Sequence, residues 1–385
     1  MSLSILRVIR SLDPGLGGTV EAVRQAVLAA QAHGAEVEIA TMDDPHAAFL
    51  ADAPCPVHAL PGRGTYGWSP GLEPWLQANL ARFDIATIEG LWQFHGPTVR
   101  RAARAARRPY VVWPHGMLDP WFKHASRLKH LKKTLYFHLR ERAVLCDAAC
   151  VVFTADDEER LAHASFGRLP IRSAVVPLGV VRPPAEDGGQ RRAFDAACPG
   201  IDRAPYILFL GRLNPKKGPD LLLDAFQAVS VRRPDLHLVM AGPGDPAYIQ
   251  RLRSRADSAC ASRIHWPGML QGEAKWGAFR GAKLFALPSH QENFGIAIVE
   301  ALACGVPVLI STAVNIWREI IADGAGIACT DHADNVERNL LSWAGGACHL
   351  TPEAAQASYL RHYESATAGA AQMGLLTRLA QAGLA

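Results

Sequence analysis

Short apolar runs alternate with longer stretches of helical spacing along almost the whole chain. In the first half, runs at 5–9, 37–41, 57–60, 85–89, 110–113, 149–153 and 174–176 read as strands. In the second half, 207–210, 236–241, 264–266, 284–287 and 308–310 do the same. Continuous apolar runs of this length suit strands buried on both faces of a parallel sheet. The segments between them keep apolar residues three and four apart, as amphipathic helices do. Strand and helix in alternation predict an α/β protein. The rhythm breaks at 181–204, where Pro183-Pro184, Gly188-Gly189 and several charges read as a linker. The expectation is two doubly wound, Rossmann-like domains, 1–180 and 205–360, facing across a cleft. Helical spacing returns after about 351, and Met373, Leu375, Leu376 and Leu379 mark a last helix over 361–385.

A chain of 385 residues exceeds one usual core, which supports that division. With 49% apolar and 20% charged residues it reads as globular, neither disordered nor fibrous. Eight cysteines are scattered with no Cys-x-x-Cys pair. They read as small buried hydrophobes of a reducing, cytosolic compartment. Arg7 and Arg10 interrupt the first apolar run, so it reads as a strand and not a signal peptide. No apolar run approaches the ~18 residues of a membrane span.

The net charge is +4, but it is unevenly spread. Between positions 97 and 142, twelve Lys or Arg stand against Asp119 and Glu141, a segment near +10. Over 122–142, Leu128, Leu131, Leu135 and Leu139 alternate with these cations, as in a basic amphipathic helix. One reading packs the Leu stripe on the core under solvated cations. The other docks the segment on an anionic bilayer or a lipid-diphosphate, at the inner face of the membrane. Nucleic acid fits less well, because no recognisable nucleic-acid module accompanies the charge.

The densest chemistry lies at 288–305, Pro-Ser-His-Gln-Glu-Asn-Phe-Gly-Ile-Ala-Ile-Val-Glu-Ala-Leu-Ala-Cys-Gly. The pattern is strand, loop, then helix from about Ile296, closed by Gly305 and Pro307. Glu292 falls in the loop and Glu300 on the second helical turn, with seven residues between them. The N–H groups of Phe294, Gly295 and Ile296, next to Asn293, form a first turn open to an anion. Two carboxylates beside an anion site suit a sugar nucleotide, with hydroxyls for the acids and a diphosphate for the helix. Two isolated glutamates are more often merely solvated. However, Val299, Ala301, Leu302 and Ala303 bury the surroundings of Glu300, where a carboxylate needs a partner.

This stretch, Pro-Ser-x-x-Glu-Asn-Phe-Gly then Glu-Ala-Leu-Ala-Cys-Gly-Val-Pro-Val, resembles the signature of retaining GT-B glycosyltransferases of the family-4, or group 1, type. The resemblance implies a nucleoside-diphosphate sugar donor, UDP before GDP, and a glycan or polyprenyl-diphosphate-linked acceptor. It implies that Glu300 holds the ribose and Glu292 the transferred sugar. It also implies a last helix that crosses back onto the first domain.

Other loops fit the same resemblance. After the first strand comes Pro14-Gly15-Leu16-Gly17-Gly18-Thr19-Val20. Gly15 and Gly17 begin a dinucleotide fingerprint, and Glu38 lies where a ribose-binding acid would stand, but Val20 replaces the third glycine. A tight turn is the plain alternative, while the resemblance puts Gly17 and Gly18 at the donor phosphates. Trp113-Pro114-His115-Gly116-Met117 sets His115 just past a strand end, where ligands meet open α/β sheets. A lone His is more often structural, whereas the resemblance brings His115 to the donor sugar. Glu89-Gly90-Leu91-Trp92 departs from relatives that often carry His-Gly-Leu-Trp, so Glu89 reads either as altering acceptor recognition or as a polar strand end. Thr154 reads as a helix cap with Asp157 in the reciprocal position. Leu178 in Val176-Pro177-Leu178-Gly179 replaces the family's usual Asn.

In Gly211-Arg212-Leu213-Asn214-Pro215-Lys216-Lys217-Gly218, the cations Arg212 and Lys217 follow a strand. Taken alone this is an ordinary surface loop, but the resemblance makes the pair the neutralisers of a leaving diphosphate. Gly242, Met269 and Leu270 lie in loops that approach the nucleotide in relatives. The chain has no Asp-x-Asp triplet and no His/Cys cluster of metal-ligand spacing, so the expectation is a metal-independent, cofactor-free transferase. The context Pro-His-Gly-Met-Leu-Asp-Pro-Trp resembles bacterial exopolysaccharide and O-antigen enzymes and implies polysaccharide biosynthesis. The alternatives are a sugar-nucleotide epimerase of the same fold and a non-catalytic binder of nucleotide sugars or membranes.

Overall fold

The computed structural model describes residues 2–120, 133–167 and 169–383. They fall into two compact units, Met1–Val181 with Glu364–Ala385, and Arg182–Tyr363. The first unit holds a parallel sheet of β1 (Ser4–Ile9), β2 (Glu36–Thr41), β3 (Val57–Ala59), β4 (Ile85–Glu89), β5 (Tyr110–Trp113), β6 (Cys150–Phe153) and β7 (Ser173–Val175). Their order is β3-β2-β1-β4-β5-β6-β7. Side chains alternate between two buried faces. Leu6 and Val8 join one cluster with Leu76 and Ile88. Ile5 and Ile9 join the other, with Val23 and Val27 of helix Gly18–Ala32. Met373, Leu375 and Leu376 of the last helix, Ser365–Ala382, lie in that same second cluster. The chain's end therefore returns to the first unit, as the resemblance implies.

The second unit holds β8 (Tyr206–Leu210), β9 (His237–Ala241), β10 (Ile264–Gly268), β11 (Leu284–Leu287), β12 (Val308–Ser311) and β13 (Gly326–Cys329), in the order β10-β9-β8-β11-β12-β13. The strand β13 is absent from the sequence reading. Gly326-Ile327-Ala328-Cys329 carries one β-branched residue and too little apolar bulk to announce a strand. The glycine lets it approach β12, since a Cβ there would lie 2.5 Å from Val308 O.

The segment read as a linker contains helix Gly189–Ala197. It packs on helix Gly272–Gly281, and a Cβ on Gly277 would sit 2.0 Å from Gln190 O. Buried Phe194 completes that contact, so this stretch is part of the second unit's core.

The basic segment lies partly outside the described residues, with Leu128 and Leu131 among those not described. Of the rest, Leu135 and Leu139 are 61% and 68% exposed, so these two do not form a core-packed stripe. Buried Phe137, in the wide turn Phe137–Glu141, anchors the segment instead.

The tightest backbone approach in the second unit predicts a stability result. Gly242 has φ 138°, and a Cβ there would lie 1.9 Å from Gly211 O. Gly242→Ala should lower stability by about 2–4 kcal/mol, read from the urea midpoint. Gly18→Ala meets nothing within 4 Å, and should stay within about 0.5 kcal/mol of the parent.

Candidate active site

In the second unit, backbone contacts sew together the loops that leave β8, β9, β10 and β11. Gly211 N donates to Ala241 O (3.0 Å), Leu213 N to Pro243 O (2.7 Å) and Gly242 N to Gly268 O (2.7 Å). Gly218, at φ 64°, would place a Cβ 2.2 Å from Pro288 O, and His290 N donates to Lys216 O (2.9 Å). These approaches set the cationic loop directly against the Glu292 loop.

Lys217 and Glu292 consequently form an ion pair, each side chain 16% exposed. Glu292 is fixed further, because its N–H donates to Ala313 O (3.0 Å) and its carbonyl accepts from Asn315 N (3.0 Å). Asn293 N donates to Glu292 Oε1 (3.1 Å), and Asn315 Nδ2 donates to Asn293 Oδ1 (3.0 Å). Gly295, at φ 75°, caps helix Ile296–Ala303, where a Cβ would strike Ile298 Cδ1 at 2.6 Å. The N–H groups of Phe294, Gly295 and Ile296 have no backbone partner among the described residues. The Phe294 side chain is buried, edge-on to Tyr363, so only its backbone is available to a ligand.

Glu300 is buried, and Lys275 Nζ donates to its Oε1 at 2.7 Å. Sequence reasoning missed Lys275. The signal was present, since a carboxylate in an apolar helix demands a cation, but nothing local said which. Arg212 is exposed, with no ion pair among the described residues. Met269 is exposed and Leu270 buried, after Gly268 at φ 75°. The predicted second-unit residues thus cluster at the carboxyl ends of neighbouring strands.

In the first unit, His115 follows β5 at φ 50°, with Gly116 at φ 75°. Its Nε2 donates to Glu89 Oε2 at 2.7 Å. Arg7 Nη1 and Thr87 Oγ1 both donate to Glu89 Oε1, each at 2.7 Å. Arg7 and Glu89 are buried, and sheet register places them together, with Arg7 beside Thr87 and Ile9 beside Glu89. Burial alone would raise the Glu89 pKa, but Arg7 and His115 outweigh it and hold the carboxyl at about 2. Glu89 is thus the polar last residue of β4, buried, with three side-chain partners on its carboxylate.

Glu158 supports the His115 loop from below. It accepts from Gly116 N, Thr154 N and Thr154 Oγ1, each at 2.7 Å. This corrects the capping expectation. Helix Asp156–Phe166 is preceded by Ala155, with no side-chain cap bond, and Asp157 pairs with Arg160. The Thr154 hydroxyl instead donates to Glu158, a residue the sequence reading gave no role. Gly17, at φ 83°, ends one tight turn and precedes helix Gly18–Ala32. Glu38 is engaged by His58 (2.6 Å) and Arg82 (2.7 Å), which leaves little for a cofactor ribose. No hydrogen bond or ion pair joins Gly17 or Gly18 to His115 among the described residues.

The loop after β4 is tied to the His115 loop. Trp92 Nε1 donates to Met117 O (3.1 Å), and Trp92 N donates to buried Glu141 Oε1 (2.9 Å). Burial pushes the Glu141 carboxyl up to about 7, against the opposing hydrogen bonds of Trp92 and Tyr136. Among the described residues, no three His, Cys, Asp or Glu side chains converge on a metal-sized site.

Comparison with known proteins shows the family and the fold. Residues 17–179 match the family described as "Glycosyl transferase 4-like domain", and residues 193–344 match "Glycosyl transferases group 1". The D-inositol 3-phosphate glycosyltransferase of Xylanimonas cellulosilytica is 31% identical over 291 residues, 73% of this chain and 61% of that protein. The protein of the same name from Jonesia denitrificans is 30% identical over 239 residues, 59% of this chain and 55% of that protein. The matches thus span less than two thirds of these relatives' own length. The structure of Anabaena Alr3699/HepE in complex with UDP-glucose aligns with a TM-score of 0.77 at 18% identity, covering 98% of this chain and 100% of that one. That likeness shows the fold, which is of the GT-B type.

Two measurements follow from the charges. Lys275→Met leaves Glu300 buried without its cation and should cost about 3 kcal/mol. The exposed Arg212→Ala should stay within about 0.5 kcal/mol, both read by urea unfolding. Glu141 supplies a pH signature. Its folded pKa is raised from 4.5 to about 7, so the folded state binds the extra proton. Its penalty is absent below pH 4.5, grows as pH rises and is complete above about 7. Glu141→Gln should therefore gain on the parent by up to ~3 kcal/mol between pH 4.5 and 8, read by unfolding at a series of pH values.

Proposed function

The chain belongs to the group 1 glycosyl transferases, and on that premise we propose that it is a retaining, metal-independent glycosyltransferase. Its donor is a nucleoside-diphosphate sugar, UDP before GDP, a preference supported by the UDP-glucose bound to the Anabaena neighbour. The observation that carries the reading is Lys217 held on Glu292 beside three N–H groups without backbone partners. Arg212 stands exposed on the same loop as Lys217.

A diphosphate arriving there meets Lys217, Arg212 and the N–H groups of Phe294, Gly295 and Ile296. These donors stabilise the charge that develops on the departing nucleotide. Glu292 then accepts from hydroxyls of the transferred sugar, and Glu300, steadied by Lys275, from the ribose. Gly242, Met269 and Leu270 flank the nucleotide through their backbones. Gly17 and Gly18 are assigned to the donor phosphates and His115 to the transferred sugar, both by resemblance. The acceptor hydroxyl attacks from the face the nucleotide leaves, with a donor phosphate oxygen assisting and no enzymic nucleophile.

The acceptor we favour is a glycan or lipid-linked glycan of bacterial polysaccharide synthesis. Exposed Leu135 and Leu139 in the basic segment support peripheral contact with an anionic membrane on its cytoplasmic face. Among the described residues no helix is long and apolar enough to cross a membrane. The names of the relatives favour a second acceptor, a phosphorylated polyol such as D-inositol 3-phosphate.

Lys217→Ala and Arg212→Ala should each lower turnover by roughly 10²–10³-fold, with donor binding followed separately by thermal shift. Unchanged turnover in both variants removes the cationic loop from the reaction. An acceptor panel holding both lipid-linked glycans and D-inositol 3-phosphate separates the two acceptor readings. Epimerised donor in the absence of acceptor favours an epimerase, and donor binding without transfer across the panel favours a non-catalytic binder.

A further inference from the structure

We propose that Glu89 is the positioning residue of His115: Arg7 and Thr87 fill its Oε1, so that Oε2 takes the Nε2–H of His115 and fixes one ring tautomer. The proposal rests on the glycosyltransferase reading only in giving His115 a reaction to serve.

An ionised carboxylate only accepts, so the Nε2 atom 2.7 Å from Glu89 Oε2 must carry the proton. The remaining nitrogen, Nδ1, keeps the lone pair in the neutral ring. No hydrogen bond reaches it from the described residues. Nδ1 is therefore the ring atom left to accept from a ligand hydroxyl. His115 is steadied from its other side, where Gly116 N is held by Glu158 (2.7 Å). Its ring also stacks at 6.4 Å on Trp113, with 23° between the planes.

Packing does not explain the charges. A buried Arg–Glu pair can be replaced by apolar residues at little or no loss of stability. Here Arg7 Nε and Nη2 are buried without a hydrogen-bond partner among the described residues, a standing cost. Buried His95, the first residue of helix His95–Ala106, has its Nε2 3.2 Å from Glu89 O. Burial lowers its pKa to about 4, so it adds no charge. What the pair supplies is a fixed anion, with one oxygen saturated and the other aimed at His115.

Glu89→Gln tests this with a specific sign. Arg7 and Thr87 still donate to the Oε1 position, so the amide oxygen settles there and the NH₂ faces His115. The ring must then offer its Nε2 lone pair and carry the proton on Nδ1. Nitrogen-15 NMR of ring-labelled protein, with the signal assigned by His115→Gln and the ring neutral, should show Nε2–H in the parent and Nδ1–H in the variant. Turnover should fall by about 100-fold, with donor KM within a few-fold. Adding Glu89→Gln to His115→Ala should cost almost nothing more. Should Glu89→Gln fail to fold, Arg7→Met/Glu89→Gln removes both charges, and it should recover stability without turnover. An unchanged tautomer in Glu89→Gln, or full turnover in either Glu89 variant, overturns the proposal. If the parent transfers no sugar to any acceptor, the transferase reading fails, and the tautomer measurement alone still decides whether Glu89 sets the ring.

Discussion

A carboxylate taken out of water must be given a cation or several N–H and O–H donors, or it does not stay ionised. Glu89, Glu158 and Glu300 are all buried under that constraint, and Glu292 is mostly covered. Each finds a different answer. Glu300 has the ammonium of Lys275, and Glu292 that of Lys217. Glu158 relies on two backbone N–H groups and a hydroxyl. Glu89 takes a guanidinium, a hydroxyl and an imidazole. Glu141 is the counter-example: burial outweighs the hydrogen bonds of Trp92 and Tyr136, its buried Oε2 has no hydrogen-bond partner among the described residues, and its pKa rises to about 7. The contrast is one of partners: burial raises the Glu141 carboxyl, whereas on Glu89 burial is outweighed by Arg7 and His115.

Those partners are delivered by backbone geometry. In the second unit, glycine is required where Gly242 meets Gly211 and where Gly218 meets Pro288. A side chain at Gly218 would push the cationic loop away from the Glu292 loop, and one at Gly242 would separate the loops that leave β8 and β9. The Lys217–Glu292 pair then depends on contacts between strands that neighbour in space but lie far apart in sequence. In the first unit the analogous device is register. The alignment of β1 with β4 puts Arg7 level with Thr87, two residues from Glu89 on the same face.

This explains what could be read beforehand. Most strands declared themselves as apolar runs, because the central ones are buried on both faces and the pattern is local. The last helix did so by its Met373 to Leu379 spacing, which ends in a buried cluster. Glu292, Glu300, Arg212 and Lys217 were legible because they sit in two dense, contiguous motifs. Lys275, Glu158 and the Arg7–Glu89–His115 chain were not. Their meaning arises only when separate segments are brought into contact, and no local spacing encodes it. Strand β13 was missed for a different reason, since its glycine and small residues serve close approach to β12 rather than apolar bulk.

The pairing of Lys217 with Glu292 also bears on how such a site would accept a doubly charged ligand. A free ammonium in a partly covered loop would draw solvent ions and sample many rotamers. Tied to a fixed carboxylate, it is already placed, and much of its ordering cost is met before binding. A diphosphate offers more charge than one carboxylate and brings Arg212 and the helix N–H groups into play, so it can share Lys217 with Glu292 without expelling it. On the proposed reading, the charge of a departing nucleotide would grow and the balance would move further toward the phosphate. Glu292 would then be less tightly bound to its cation, and freer to accept from sugar hydroxyls, when positive charge develops on the sugar. An ion pair already formed between two fixed loops would in this sense be preorganisation for a change in charge, the condition under which electrostatic catalysis is most effective.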